Sequence, residues 1–203
     1  MTWANRISPL VRSIPPSGIR RFFDIAAEME GVISLGVGEP DFVTPWHIRK
    51  SCIHGLQRGL TSYTSNYGLL ELREEIARSV FNDYGVKYDP RSEVLVTVGV
   101  SEALDLAVRA IIAPGDEVLI PEPCYVSYHA CVNLAGGKAV PVPTYMTNEF
   151  RPTVEDLEAR VTNRTKAILI GYPNNPTGTV LTREELLAIA DFAHKHDLIV
   201  ISD

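Results

Sequence analysis

From position 45 onward, segments with apolar residues three and four apart alternate with short runs that are apolar throughout. The first kind marks a helix with one buried stripe. The second marks a strand covered on both faces. The spacing predicts helices at about 46–58, 69–84, 101–112, 124–135, 153–161 and 183–196. After Ser101, the residues Leu104, Ala107, Val108 and Ile111 fall on one stripe. Thr182-Arg183-Glu184-Glu185 has the form of a capping box, with Glu three residues after an N-cap Thr. The strand candidates are 94–98, 117–120, 138–142, 167–171 and 198–202. Strands separated by helices imply a mostly parallel sheet, right-handed crossovers and helices on both faces, an α/β fold of three layers.

The earlier residues read differently. Up to Ile14 there is no strong pattern, and Pro15-Pro16 stops any helix. This stretch reads as an arm. A helical pattern from Gly18 to about Met29 puts Phe22, Ile25, Ala26 and Met29 on one face. Val32 to Leu35 reads as a short strand, and Gly36 to Asp41 as a loop. At the other end, Leu198 to Asp203 is a strand of the buried type with nothing after it. The functional loops of α/β sheets begin where such strands end, which points to a fragment of a longer protein.

Composition narrows the function classes. The 203 residues are 45% hydrophobic and 22% charged, a globular proportion. No apolar run approaches the roughly 20 residues of a spanning helix. The net charge of −6, with five Lys and fourteen Arg scattered along the chain, argues against nucleic acid as the main partner. Cys52, Cys124 and Cys131 are odd in number and not spaced for zinc, which fits a reducing compartment. With no apolar signal segment at the start, a cytoplasmic protein is expected.

Several segments could carry chemistry. Val94 to Ala103 is a strand, a glycine turn and a helix start. The amides of Val100, Ser101 and Glu102, with the Ser101 hydroxyl, could cradle a phosphate at the positive end of the helix. Equally, this is a capped turn with Ser101 as the N-cap. Tyr172 to Gly178 brackets two asparagines with two prolines and a glycine. The amides suit orientation of a polar ligand, and the same residues make an ordinary turn. Asp203, at a strand end, could pair with a cationic ligand atom or cap a helix. Tyr125, at a helix start, could stack on a planar ligand or pack as a half-buried aromatic. Tyr63 lies on a polar loop. His194 and His196, two apart on a helix end, read as solvent-facing, and no metal site is expected. Cys124 has no basic neighbour in sequence and reads as structural.

Taken together and in order, six segments resemble the class I aminotransferases, the fold-type-I enzymes dependent on pyridoxal 5′-phosphate that include the aspartate and aromatic aminotransferases. The segments are Ser34 to Phe42, Tyr63 to Arg73, Gly99 to Ala103, Pro121 to Tyr128, Pro173 to Gly178, and Ile201 to Asp203. The resemblance implies a truncated large domain of that fold over 45–203, the N-terminal part of a small domain over 15–44, and an arm over 1–14. It implies pyridoxal phosphate as cofactor, with Val100 and Ser101 in the phosphate-binding turn and Tyr125 stacked on the pyridine. Asn175 would bond the phenolic oxygen beside the substrate carboxylate, and Asp203 would pair with the ring nitrogen. Asp203, Asn175 and Tyr125 are thus the catalytic candidates. Gly38 would approach the substrate through its backbone, and Tyr63 would reach the cofactor phosphate of a partner subunit in a homodimer. Amino acids and 2-oxo acids would be the substrates.

The family also needs a Schiff-base lysine and a carboxylate-binding arginine well after the aspartate. Lys50, Lys87, Lys138, Lys166 and Lys195 all precede Asp203, and none lies in a Ser-Lys context after a late strand. The expectation is therefore an enzyme whose 203-residue stretch is inactive alone. Carbon–sulfur lyases and aminocyclopropane-carboxylate synthases share most of these motifs, and a non-catalytic remnant of the fold is a third reading. In the resembling family, two late strands would insert beside 94–98, and without them that segment lacks a neighbour.

Overall fold

The computed structural model describes residues 6–15, 25, 28–31, 33, 38 and 40–203. They fall into two compact units, Ser17–Thr97 and a second made of Met1–Pro16 with Val98–Asp203. The helix expected over 18–29 and the strand expected at 32–35 lie largely outside the described residues. Among those residues, no helix is long and apolar enough to cross a membrane.

The second unit opens with a one-turn helix, α1 (Pro9–Arg12), where the sequence pattern suggested only an irregular arm. Pro9 at the first helical position explains the start, since its fixed φ suits a first turn. In the first unit lie α2 (Trp46–Gln57) and α3 (Leu70–Tyr84). Arg73 of α3 is buried and its guanidinium donates to the Pro90 carbonyl at 2.7 Å, which ties the helix to the following loop. Gly68 sits at φ +89°, and a Cβ there would come within 2.6 Å of the Val96 side chain.

The remaining elements are α4 (Gly99–Ile111), β1 (Glu117–Glu122), α5 (Ser127–Leu134), β2 (Lys138–Pro143), α6 (Val154–Glu158), β3 (Thr165–Ile170), α7 (Arg183–Lys195) and β4 (Ile199–Ser202). The four strands form one parallel sheet in the order β2-β1-β3-β4. Alternation along β1 and β3 sends side chains to opposite faces. Val118, Ile120, Ala167 and Leu169 pack with Leu104 and Val108 of α4 and Tyr128 and Val132 of α5. Leu119, Ile168 and Ile170 pack with Leu157 of α6 and Ile189, Phe192 and Ala193 of α7. Helices therefore cover both faces, as the apolar strands require. Thr182 and Glu185 form the expected reciprocal cap on α7, and Thr153 and Asp156 make a second one on α6.

Three expectations need correction. The stretch 94–98 is not a strand. Its apolar, β-branched residues have strand propensity, but a strand exists only through its ladder. Within it the Val96 N–H donates to the Tyr67 carbonyl, at 3.1 Å, in a contact that is not part of a ladder. The helix expected from 101 begins at Gly99, so Ser101 lies inside the first turn and Val98 is the N-cap. The carboxylate of Glu102 accepts the Val98 N–H there. His196 is half-buried against Phe192 and Glu158, not solvent-facing.

Candidate functional site: a cavity at the strand ends

In a parallel sheet, ligands bind beyond the carboxyl ends of strands, where neighbouring connections diverge. Here the chain passes from β1 to β2 on one side of the sheet, while β3 and β4 lie on the other. A cavity of about 370 Å³ opens at the ends of β1, β3 and β4. The start of α4 supplies Val100, Ser101 and Leu104 to its wall, and the segment after β1 supplies Tyr125 and Tyr128. Gly171, Pro173 and Asn175 come from the loop after β3, and Asp203 from the end of β4.

Each group is held by its local fold. Val100 and Ser101 lie in the first turn of α4, whose amides have no carbonyl of their own helix to bond. Their N–H dipoles make this end of the wall favourable to an anion. Tyr125 precedes α5 instead of opening it, and its carbonyl accepts the Tyr128 N–H at 3.1 Å. The two rings meet edge to face, 5.8 Å apart at 77°. Asp203 is anchored by its own N–H, which donates to the Ile170 carbonyl at 2.9 Å. Its Oδ2 accepts the Tyr128 hydroxyl at 2.6 Å.

The adjacent asparagines divide the work. Asn174 is buried, and its Nδ2 donates to the Pro123 carbonyl at 3.2 Å. Its Oδ1 accepts both the N–H and the hydroxyl of Thr177, at 3.2 and 2.9 Å. Backbone bonds from Asn174 N–H to Thr179 and from Gly178 N–H to Asn174 close the turn. The loop so locked leaves Asn175 exposed at the cavity wall.

Burial, and then the contact with Asp203, push the Tyr128 phenol far above the ordinary tyrosine range. Burial, and then the Glu122 carboxylate, push the Cys124 thiol up to about 11. A thiol so placed stays neutral, in keeping with a structural role. Among the described residues no group of three or more His, Cys, Asp or Glu could hold a metal ion.

Five of the residues singled out in the sequence, Val100, Ser101, Tyr125, Asn175 and Asp203, therefore share one cavity. Gly38 and Tyr63 belong to the other unit, where Tyr63 is fully exposed. Tyr128 and Gly171 were not singled out for a role. Their part depends on a contact across 75 residues of sequence, which no local pattern announces.

A parallel sheet whose strand ends gather an aromatic ring, an amide, a carboxylate and a helix start defines a class of binding site suited to a flat, anionic ligand. The family model "Aminotransferase class I and II" matches residues 30–203, and the chain belongs to that family. It is 58% identical over 197 residues to the putative aminotransferase YugH of Bacillus subtilis, covering 97% of this chain and 51% of that protein. It is 48% identical to the aromatic-amino-acid aminotransferase 2 of Thermococcus litoralis, again over 97% of this chain and 51% of the relative. The aspartate aminotransferase of Thermus thermophilus with maleate superposes with a TM-score of 0.91 at 38% identity, over 97% of this chain and 52% of that one. The chain thus spans about half the length of the curated relatives it matches.

Proposed function

We propose that this chain is the N-terminal portion of a pyridoxal phosphate-dependent aminotransferase that moves an amino group from an amino acid to a 2-oxo acid. The observation that supports it most is the meeting of Val100, Ser101, Tyr125, Asn175 and Asp203, spread over 104 positions, around one cavity. The donor set suits the cofactor: an anion-favouring helix start for its phosphate, a ring for its ring, and a carboxylate for its basic nitrogen. When bound, pyridoxal phosphate supplies an electron sink for the bond broken at the substrate's α-carbon.

In this reading the first-turn amides of Val100 and Ser101, with the Ser101 hydroxyl, hold the phosphate. Tyr125 lies against the pyridine face. Asn175 bonds the phenolic oxygen and borders the substrate carboxylate. Asp203 would pair with the ring nitrogen and favour its protonated form. Gly38 meets the substrate through its backbone, and residues 45–203 form part of the large domain. The enzyme works as a cytoplasmic homodimer in which Tyr63 reaches the partner's cofactor phosphate.

The test is the full-length enzyme with pyridoxal phosphate, a panel of amino acids and a 2-oxo acid acceptor. Transfer of the amino group, with no net release of ammonia, is expected. Release of pyruvate and ammonia without transfer would replace this reading with a lyase. For the dimer, chains carrying Tyr63→Phe are mixed with chains disabled at Asp203. One site per mixed dimer should regain wild-type cofactor affinity, and no such recovery would defeat the shared site.

A further inference from the structure

We propose that Tyr128 is a positioning residue for Asp203, and that Gly171 is glycine because the Tyr128 hydroxyl occupies the space a side chain would take. The inference rests on the reading of Asp203 as the partner of the cofactor's ring nitrogen.

Tyr128 is nearly inaccessible, with 4% of its surface exposed, while Asp203 lines the cavity. A carboxylate without a fixed partner turns freely about its last side-chain bond. The 2.6 Å bond from the Tyr128 hydroxyl to Oδ2 removes that freedom and leaves Oδ1 for a second partner. The donor is dependable, because the buried phenol keeps its proton at any physiological pH. The ring itself is fixed by the α5 backbone, by the edge-to-face contact with Tyr125, and by the core cluster of Val118, Ile120 and Leu169. A fixed donor therefore sets the orientation of a carboxylate that would otherwise be set only by its ligand.

Gly171 completes the arrangement. It is not among the glycines with positive φ, so its backbone does not demand glycine. A Cβ at this position would instead collide with the Tyr128 hydroxyl oxygen, with the next nearest atoms also on that ring, at 3.4 and 3.6 Å. The missing side chain makes room for one atom, the oxygen that bonds Asp203.

The test uses the full-length enzyme as wild type, Tyr128→Phe, Gly171→Ala, the double variant and Asp203→Asn. Two readouts are taken: kcat as a function of pH, and the nitrogen-15 NMR signal of ring-labelled pyridoxal phosphate in the resting enzyme. Each single change at 128 or 171 should lower kcat about tenfold, the size of one charge-assisted hydrogen bond. Each should also move the nitrogen signal toward the unprotonated position. The double variant should be no worse than Tyr128→Phe, because once the hydroxyl is gone the alanine meets only ring carbons. A wild-type nitrogen signal and kcat in Tyr128→Phe, beside a crippled Asp203→Asn, would overturn this inference alone. A full additional loss from Gly171→Ala in the Phe background would overturn the coupling. A normal signal and turnover in Asp203→Asn would instead overturn the reading of Asp203. If Tyr128→Phe does not fold, Gly171→Ala keeps the hydroxyl and carries both readouts by itself.

Discussion

Two cavities flank the short segment after β1, and they differ in a way that size does not reveal. One, of about 370 Å³, takes Tyr125; the other, of about 600 Å³, takes its neighbours Cys124 and Val126. In the larger cavity Glu122, Thr144 and Cys124 already have neighbours within the protein, and only the buried His129 Nε2 lacks a hydrogen bond among the described residues. His129 Nε2 lies 2.8 Å from Glu122 Oε1, close in distance but without the geometry of a hydrogen bond. The Thr144 hydroxyl donates to the Glu122 carbonyl at 2.6 Å, and the Cys124 thiol is held neutral. In the smaller cavity Asn175, Ser101 and one oxygen of Asp203 face the opening without a side-chain partner among the described residues. The site is recognised by chemistry left available, not by volume.

The contrast is broken most severely at Asp203. Asp203→Ala in the full-length enzyme should lower kcat by about 10²-fold or more, because under the proposed pairing the ring nitrogen would lose its counter-charge while the other proposed contacts would remain. Steady-state kinetics check this, and near-normal turnover would move the nitrogen's partner elsewhere.

In the larger cavity, Cys124 should resist alkylation. Its thiol, raised from 9.0 to about 11, ionises in proportion to hydroxide up to that range. At pH 8 its thiolate fraction is about 10²-fold below that of an ordinary cysteine. Iodoacetamide labelling followed by mass spectrometry should find Cys52 modified first, with Cys124 labelling rising steeply between pH 8 and 11 in folded protein. Equal rates at pH 8 would contradict the neutral thiol.

The two asparagines should separate stability from function. Asn174→Ala removes the acceptor of the Thr177 N–H, while the Thr177 hydroxyl keeps Thr179 Oγ1 at 3.0 Å, and should cost about 1–3 kcal/mol of folding free energy. Asn175→Ala should leave the melting temperature nearly unchanged and weaken substrate and cofactor handling instead. Thermal melts and kinetics on both variants decide it. Smallest of all, His129→Asn in the larger cavity should leave kcat within about twofold, since it touches nothing the proposed reaction uses.

Much of this was legible in the chain. The alternation of apolar strands with striped helices located the four strands of the sheet, and the Thr182 to Glu185 cap appears as read. Residues that line the smaller cavity were marked by what surrounds them: a glycine turn, a Pro-Asn-Asn-Pro loop, a strand end. What stayed hidden depends on partners. The stretch 94–98 has the composition of a strand, yet pairing, not composition, makes one. β4 is as apolar as β3, but Ile199 and Val200 remain about 40% exposed while the second half of β3 is buried. Apolar character states what a residue tolerates; coverage depends on which elements lie beside it. The Tyr128–Asp203 contact and the use of Gly171 are likewise three-dimensional facts, visible only when residues far apart in sequence are brought together.

The central claim is that the smaller cavity, not the larger, holds the cofactor. Its most direct test is a crystal structure of the full-length enzyme grown with pyridoxal phosphate. The account predicts density with the phosphate at Val100 and Ser101, the ring against Tyr125 and the ring nitrogen at Asp203. Cofactor density beside Glu122, Cys124 and His129, or a ring turned away from Asp203, would contradict it.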